Sequence, residues 1–345
     1  MTDAIFPAIL WLIHKYMNRK YFTLIVFLAV IAVAVSGWGF LVHRTVAQLA
    51  IYELPKPMQA FFFTHKDSLV YGAPRPDVRR TKDDSEGSKH YMDMEYFGDS
   101  AFNVIPRQFE DAVAKYTLDT LNKYGTLPFV VVDYLDRLTN AFRSKHVDSI
   151  VFYAADLSHY IADAHVPLHT SLNYDGQLTG QHGIHDLWET TVPEVEILNY
   201  QLNSRHKARY IQSSAEEIWK IIEHTFSLLP GMMEKEKEVA KDFTDATKYR
   251  WEVRWGKNRR FYTTEFAKAY SKALKSSIND QLIASSDAIA DFWYTAWVNA
   301  GRPNLDRILG TSYNKKGFKK ERKAFLKNEL VKKEILISTQ RMTKD

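Results

Sequence analysis

Metal-binding side chains are concentrated in one segment of the chain. Five of the twelve histidines fall within residues 159–185. His159 and Asp163 stand four residues apart in a stretch of helical apolar spacing, so both side chains share one helix face. His185 and Glu189 repeat that spacing farther along the chain. Two such pairs on facing helices can bind a metal ion with a geometry set by the backbone. The segment therefore predicts a metal site.

A further histidine extends this pattern. The apolar spacing predicts a helix over 147–165, and Pro167 ends it, so that His169 can turn back from the following loop. The alternative is that a lone buried histidine is a hydrogen-bonded core residue, but two spaced pairs and a third histidine favour metal. His165 and His182 fall outside the spacing, and we expect them to orient ligands rather than bind metal. The isolated histidines are expected to be incidental, namely His14, His65, His146, His206 and His224.

Composition limits the chemistry of this site. The 345 residues include no cysteine, which excludes disulfides, cysteine nucleophiles and thiolate zinc sites, so a metal must be bound by His, Asp and Glu. Net charge is unevenly distributed: residues 315–345 carry +7 and residues 1–37 carry +2, which leaves −4 for residues 38–314. The composition of the body therefore does not indicate a basic groove for nucleic acid.

The amino-terminal segment has the pattern of a secretory signal peptide. Residues 21–42 carry no charge and follow Arg19 and Lys20, and small residues stand three and one positions before Trp38. This predicts a signal peptide over 1–37 that is cleaved before Trp38, and hence export to the periplasm or the medium. The alternative is an uncleaved membrane anchor through residues 21–42, since such a run is long enough to span a bilayer.

The leader contains more residues than a signal peptide requires. Read from Met17, it has a basic start, an uncharged middle and a small-residue end, which is a compact signal peptide. Residues 1–16 add a second apolar stretch that such a leader does not need. Met17 is therefore a possible true start of the protein.

Helical periodicity prevails after Trp38 and predicts an all-α fold, a single multi-helix domain over 38–312. For the predicted helix that contains Trp293, Ser286 and Asp287 are candidate caps and Gly301 is a stop signal. No alternating run indicates a strand. Two apolar stripes show the helical spacing: Val131, Tyr134, Leu135, Leu138 and Phe142, and then Ile289, Phe292, Trp293, Ala296 and Trp297.

Two segments differ from this helical pattern. Residues 72–90 are polar and contain Gly and Pro, which predicts a long loop. Residues 313–345 form a basic tail that we expect to be a solvated helix or disordered. The lysines of this tail also allow contact with an anionic membrane surface or with nucleic acid. No obligate protein partner is inferred.

The ordered set of chemically active residues resembles the superfamily of zinc-dependent phospholipases C and single-strand-specific zinc nucleases. The resemblance extends over residues 38–189 and implies an all-helical enzyme with three zinc ions per chain. It is carried by Trp38-Gly-Phe-Leu-Val-His43, Asp77, His90, His159-x3-Asp163, His169 and His185-x3-Glu189.

The resemblance also implies how the ligands divide among the zinc ions. The first zinc would be bound by Asp77, His90, His159 and Asp163. The second would be bound by His169, His185 and Glu189. The third would be bound by His43, by Asp163 as a bridge, and by the free amine and the carbonyl of Trp38.

A mechanism follows from this ligand set. Zinc ions that share Asp163 would lower the pKa of a bound water, which then attacks the phosphate ester without a covalent intermediate. Asp77 and Asp163 thus take part in catalysis through the metal. Arg80, three residues after Asp77, matches an arginine that the nuclease branch uses on the substrate phosphate.

The substrate is less constrained by the resemblance. Glu189 is the choice of the phospholipases, whereas nucleases of this kind tend to carry Asp. Leu41 replaces the choline-recognising Glu of the phospholipases, which argues against phosphatidylcholine specificity. The missing cysteines depart from the disulfide-bonded fungal enzymes. Tyr91 could stack on a substrate ring and Asp93 could bind its polar groups, although an aromatic at position 91 is equally a packing residue.

The sequence is best interpreted as an exported zinc-dependent phosphodiester hydrolase, phospholipase-C-like, acting on a phospholipid head group. One alternative is a single-strand nuclease or 3′-nucleotidase on the same zinc site, acting on a nucleotide or nucleic acid. A second alternative is a non-catalytic periplasmic zinc-binding protein.

The predicted role of the Trp38 amine gives a test of processing. Mass spectrometry of the exported protein should find Trp38 at its amino terminus. A variant that keeps one extra residue before Trp38 should bind two zinc ions firmly and the third weakly, because an amide nitrogen cannot replace the amine. It should also hydrolyse its substrate poorly. An uncleaved chain with three zinc ions and full activity would instead identify residues 21–42 as a membrane anchor.

Overall fold

The periodic apolar residues form helices throughout the computed structural model, which describes residues 39–254 and 256–340. The predicted all-α fold class is confirmed. The first half contains α1 (Gly39–Glu53), α2 (Lys56–Thr64), α3 (Lys66–Gly72), α4 (Arg75–Arg79), α5 (Ala101–Val104), α6 (Phe109–Tyr116), α7 (Leu118–Tyr124), α8 (Leu127–Ser144) and α9 (Val147–Asp163). The second half contains α10 (Val192–Glu196), α11 (Ser214–Ser227), α12 (Leu229–Ala240), α13 (Asp245–Lys248), α14 (Thr264–Leu274), α15 (Ser277–Asn299), α16 (Lys315–Leu326) and α17 (Ile337–Gln340).

Short helical turns complete these elements. The 3-10 turns are Asp84–His90, Met94–Phe97, Pro167–Thr170 and Leu305–Ile308, and a π-helical turn spans Asp186–Thr191. Within the part of the chain that the structure describes, no helix combines the length and apolar character needed to cross a bilayer. The predicted signal peptide or anchor lies outside the described residues, except for positions 39–42.

The core forms where α1, α8, α9 and α15 pack against one another. Trp293 of α15 is fully buried, and its indole nitrogen donates to the carbonyl of Ala154 at 2.9 Å. Its ring lies 4.9 Å from that of Phe62. The predicted aromatic stripe is thus core. However, α15 begins well before the expected cap, since the hydroxyl of Ser286 is inside the helix and donates to the carbonyl of Ile283.

A hairpin interrupts the helices and was not predicted. The strands β1 (Tyr249–Arg254) and β2 (Lys257–Tyr262) pair antiparallel, with Tyr249 opposite Tyr262. Only the base of the hairpin packs on the body: Tyr262 is 1% exposed, whereas Trp251, on the same face but nearer the tip, is 70% exposed. Two strands of six residues in a mixed charged sequence give a weak alternation, so the sequence pattern failed to reveal them.

The predicted loop over 72–90 is largely helical, because it contains α4 and the first 3-10 turn. Two arginines of α4 bind one buried carboxylate of α9. Arg75 Nη2 lies 2.5 Å from Asp156 Oδ1, and Arg79 Nη1 lies 2.7 Å from Asp156 Oδ2. These ion pairs join a polar segment to the core, and local sequence spacing does not reveal them.

The described part of the basic tail packs against the body, which differs from the expected solvated or disordered segment. Phe318 and Phe325 of α16 are buried against the ring of Tyr52 on α1. The Tyr52 hydroxyl donates to Glu321 at 2.7 Å. Farther on, the hydroxyl of Ser338 lies 2.7 Å from that of Thr45. In the sequence, the many lysines of this segment concealed the apolar residues Phe318 and Phe325, which α16 buries against α1.

Candidate metal centre

The cluster begins on the inner face of α9. His159 and Asp163 are almost wholly buried, one turn apart, as the spacing predicted. His43 enters from α1, where it is also buried, and its Nε2 lies 3.4 Å from Asp163 Oδ1. The rings of His43 and His159 stack at 3.9 Å. Two neighbouring helices therefore direct three side chains at one point.

A second group joins this one through Asp163. His90 Nδ1 lies 2.9 Å from Asp163 Oδ2 and 3.1 Å from His159 Nε2. Asp77 of α4 closes the group, since its Oδ1 lies 3.8 Å from His90 Nδ1 and 3.9 Å from His159 Nε2. Four donor atoms thus surround one small volume, and Asp163 directs its other oxygen towards His43.

Asp77 and His90 are held in position by side chains that sequence reasoning missed. Glu86 is 1% exposed and accepts hydrogen bonds from Arg79 and from the hydroxyl of Tyr160. Burial raises the pKa of Glu86, but these bonds outweigh it and hold the pKa at about 2. Glu86 therefore stays charged and ties the turn that ends at His90 to α9. The missed signal was the acidic residue four positions before a candidate ligand.

The third group lies around the π-helical turn. His185 Nε2 is 2.7 Å from Glu189 Oε2 and 3.2 Å from His169 Nε2, and the distance from His169 Nε2 to Glu189 Oε2 is 3.5 Å. His169 Nδ1 donates to the carbonyl of His90, and His185 Nδ1 donates to the carbonyl of Tyr174. Each Nδ1 proton is thereby assigned, so each Nε2 is left to bind a metal.

The groups are contiguous around the start of α1. A Cβ added to Gly39 would lie 3.5 Å from Glu189 Oε1 and 3.6 Å from Asp77 Oδ2. Both distances are ordinary van der Waals contacts, so the two carboxylates lie beside the first residue of α1. Trp38, predicted to be a ligand, lies outside the described residues.

The electrostatics combine deep burial with charge. Burial opposes ionisation of Asp163, but His159 and His169 hold the pKa of Asp163 well below its ordinary value. The pKa of Glu189 is likewise lowered, since hydrogen bonds from His169 and His185 outweigh burial. Burial and the nearby His159 lower the pKa of His43 to about 4. The cluster thus offers ionised carboxylates beside a neutral imidazole at neutral pH.

The geometry fits zinc. Ligand atoms 2.0–2.1 Å from a tetrahedral zinc lie about 3.4 Å apart, which is close to most separations in these groups. His169 Nε2 and His185 Nε2 lie 3.2 Å apart and both face Glu189 Oε2, separations that one zinc bound to these three side chains would produce. All donors within the described residues are imidazole nitrogens and carboxylate oxygens, forming the groups His43/His159/Asp163, Asp77/His90/His159 and His169/His185/Glu189.

The predicted substrate residues Tyr91 and Asp93 follow His90 along the chain, and together with Arg80 we call them the rim residues. Tyr91 is partly buried and follows His90, and the amide of Met92 donates to the carbonyl of His169. Asp93 is 8% exposed, and burial together with Glu95 raises its pKa to about 7. The Tyr91 hydroxyl donates to the carbonyl of Lys123 at 3.2 Å, so the contact of this segment with the candidate ligand His169 is made by its backbone.

Arg80 is the third of the rim residues. It is exposed, and its charge acts on the Tyr91 hydroxyl. It thus belongs to the rim with Tyr91 and Asp93, whereas its neighbour Arg79 is bound to buried carboxylates.

Histidines outside the ligand spacing have other roles. His165 is buried, donates from Nδ1 to the carbonyl of Ile161, and has a pKa lowered to about 4 by burial. It lines a cavity with His43 and Glu189 but belongs to none of the ligand groups in the described chain. His182 is exposed and does not belong to them either. His146 caps α9 and His206 bonds Asp291, so both are structural.

These features define an all-helical protein with a buried cluster of imidazoles and carboxylates suited to several metal ions. Neither family models nor the curated proteins give a match. Among solved structures the chain is similar to the alpha-toxin of Clostridium perfringens from an avian strain, with 14% sequence identity and a TM-score of 0.46. The match covers 74% of this chain and 63% of the toxin chain, so the chain spans less than two thirds of the toxin. We therefore base the function on the cluster itself.

The shared position of Asp163 leads to a prediction about metal content. Asp163→Asn removes a charge that faces both His43 and the His90/His159 pair, so we expect the variant to lose more than one zinc per chain. Asp291→Asn is a matched control, because Asp291 is a buried carboxylate that binds His206 and Arg209 away from the cluster. Elemental analysis of both proteins measures the effect. Full zinc occupancy in Asp163→Asn would exclude the bridging role.

Proposed function

We propose that this chain is an exported zinc-dependent hydrolase of phosphodiesters, phospholipase-C-like in its substrate. The proposal is carried by the position of Asp163. One of its carboxylate oxygens faces His43, and the other faces His90 and His159. A carboxylate in that position is suited to hold two metal ions close together, as two-metal hydrolases of phosphate esters require. Three zinc ions are proposed, with Trp38 completing the third site.

Bound zinc would supply an activated water and a positive charge for the phosphate oxygens. The residues of the chain do the positioning. His169 and His185 keep their rings oriented through carbonyl hydrogen bonds, and the pairing of Glu86 with Arg79 keeps His90 and Asp77 in place. Because most of these side chains are buried and they are fixed by such bonds, little reorganisation would be needed when a phosphate arrives.

A mainly apolar cavity of about 30 Å³ lies beside the cluster. His43 and Glu189 form one side of this cavity, and its remaining lining is largely aliphatic or aromatic, including Val42, Trp188 and Leu282. That volume is about the share of one water molecule, so the cavity is too small for the glycerol or acyl part of a lipid. The phospholipid substrate is therefore proposed from Glu189, the position where the sequence follows the phospholipases rather than the nucleases.

The second candidate is a single-strand nuclease or 3′-nucleotidase, and the chemistry of the rim residues favours it. Tyr91 could stack on a base, and Asp93, with its pKa near 7, could exchange hydrogen bonds with the base edge. Arg80 could bind the phosphate there. A zinc-binding protein without turnover remains the third candidate.

The candidates differ in what the purified, leader-free protein hydrolyses. We expect release of the phosphorylated head group from phospholipid vesicles, and less product from single-stranded DNA or a nucleoside 3′-monophosphate. The Asp163→Asn variant, assayed in parallel, should abolish the phospholipid activity. Preference for the nucleic substrates would favour the nuclease, whereas full zinc content without any turnover would favour the binding protein.

The adjacent arginines provide a matched pair for testing the rim. Arg80→Ala should keep zinc and thermal midpoint while kcat falls by about 10²-fold or more, the scale for losing a group that stabilises developing charge. Arg79→Ala should lower the thermal midpoint, because Asp156 and Glu86 would stay buried without their partner. Kinetics and thermal unfolding distinguish the two. Early melting of Arg80→Ala with unchanged kcat would make that residue structural.

A further inference from the structure

A basic groove lies away from the metal centre, between the start of α2 and the length of α16. Its volume is about 600 Å³. The uncharged residues that line it are Gln59, Tyr313, Phe318 and Leu326. The cationic residues that line it are Lys56, Lys315, Lys319, Arg322, Lys323 and Lys327. We call this feature the lysine groove.

The groove results from the way α16 is divided into faces. Lys315, Lys319 and Lys323 recur every four residues, so they follow one side of the helix at an axial spacing of about 6 Å. Phe318 and Phe325 occupy the adjoining side of the helix and are buried. The lysines are exposed, so their ammonium groups are available to a partner.

The carboxylate of α16 does not neutralise this face. Glu321 is the acidic residue within the helix, and it turns towards the body, where it accepts from the hydroxyl of Tyr52 and pairs with Lys66 at 2.8 Å. The positive charge of the lysine groove is therefore uncompensated on its own helix. The groove also contrasts with residues 38–314, whose net charge is −4.

We propose that the lysine groove binds the surface of an anionic phospholipid membrane. Clusters of several Lys or Arg on one helix face are attracted to acidic lipids, and the more acidic remainder of the chain would turn away from that surface. Leu326, 43% exposed beside the lysines, provides an apolar contact for the interfacial region. This function goes beyond hydrolysis and does not require metal.

Two observations favour the membrane over nucleic acid. The groove is lined mainly by Lys, which acts as a point charge, whereas phosphate recognition in nucleic acids commonly uses the bidentate fork of Arg. Strand binding also needs aromatic rings that are free to stack on bases. In the lysine groove, Phe318 is buried, and Tyr313 packs edge-on against Phe63 at 6.3 Å.

Vesicle sedimentation tests the proposal with the protein as isolated from cells. Vesicles of phosphatidylcholine alone are compared with vesicles containing about one third phosphatidylglycerol. We expect stronger binding to the anionic vesicles, and we expect added salt to reduce that difference by screening. Lys319→Ala/Lys323→Ala should weaken binding to the anionic vesicles by about tenfold or more.

The matched control is Lys268→Ala/Lys272→Ala, which removes the same charge from two exposed lysines four apart on α14. This control should bind anionic vesicles as the parent protein does. Equal losses in both double variants, or equal binding to both kinds of vesicle, would overturn the proposal. Tighter binding to a labelled single-stranded oligonucleotide that depends on Lys319 and Lys323 would overturn it in favour of nucleic acid. Binding is read without turnover, so failure of the proposed hydrolase leaves this result interpretable.

Discussion

The carboxylate of Asp163 lies in the protein interior at 1% exposure, and its burial limits everything around it. A charge removed from water is costly unless opposite charge and hydrogen-bond donors surround it. Three histidines supply that environment: His43 faces one oxygen, while His90 and His159 face the other. These side chains come from α1, from the end of the first 3-10 turn and from α9. The cluster therefore requires the helices to meet in one arrangement.

A second layer of buried charge supports the first. Asp156 and Glu86 bind Arg75 and Arg79, so the polar segment that carries Asp77 is joined to the face of α9 that borders the ligands. A buried polar network of this kind stabilises a structure only when its members are all satisfied. Here it also gives the ligands their rigidity, which favours binding of metal with little reorganisation. Stability and the proposed chemistry thus depend on the same contacts.

Charge is separated between the two ends of α1. The metal cluster at its first turns contains the carboxylates, whereas α16 packs near its last turns with the lysine face outward. Neither feature appears in the net charge of +5, which averages them. A buried acidic centre suits dications, and an exposed cationic face suits an anionic surface, so one helix connects two regions with opposite electrostatic preferences.

The sequence by itself determined the strongly periodic elements and the ligand spacing. The stripe of α8, the helix of α9 and the pairs His159/Asp163 and His185/Glu189 are local patterns, because side chains four residues apart on a helix are neighbours whatever else the chain does. Through the resemblance to a known set, it also predicted eight described side chains that the structure brings close together. Tertiary structure decided the rest, since each remaining feature depends on partners far apart in the chain. Glu86 can hold the turn that ends at His90 only because Tyr160 and Arg79 donate hydrogen bonds to it. The basic tail packs on the body because the ring of Tyr52 contacts Phe325. The hairpin likewise depends on Tyr262, which is buried and donates a hydrogen bond to Glu236 of α12. These residues are far apart in the chain, so local sequence patterns do not reveal the contact.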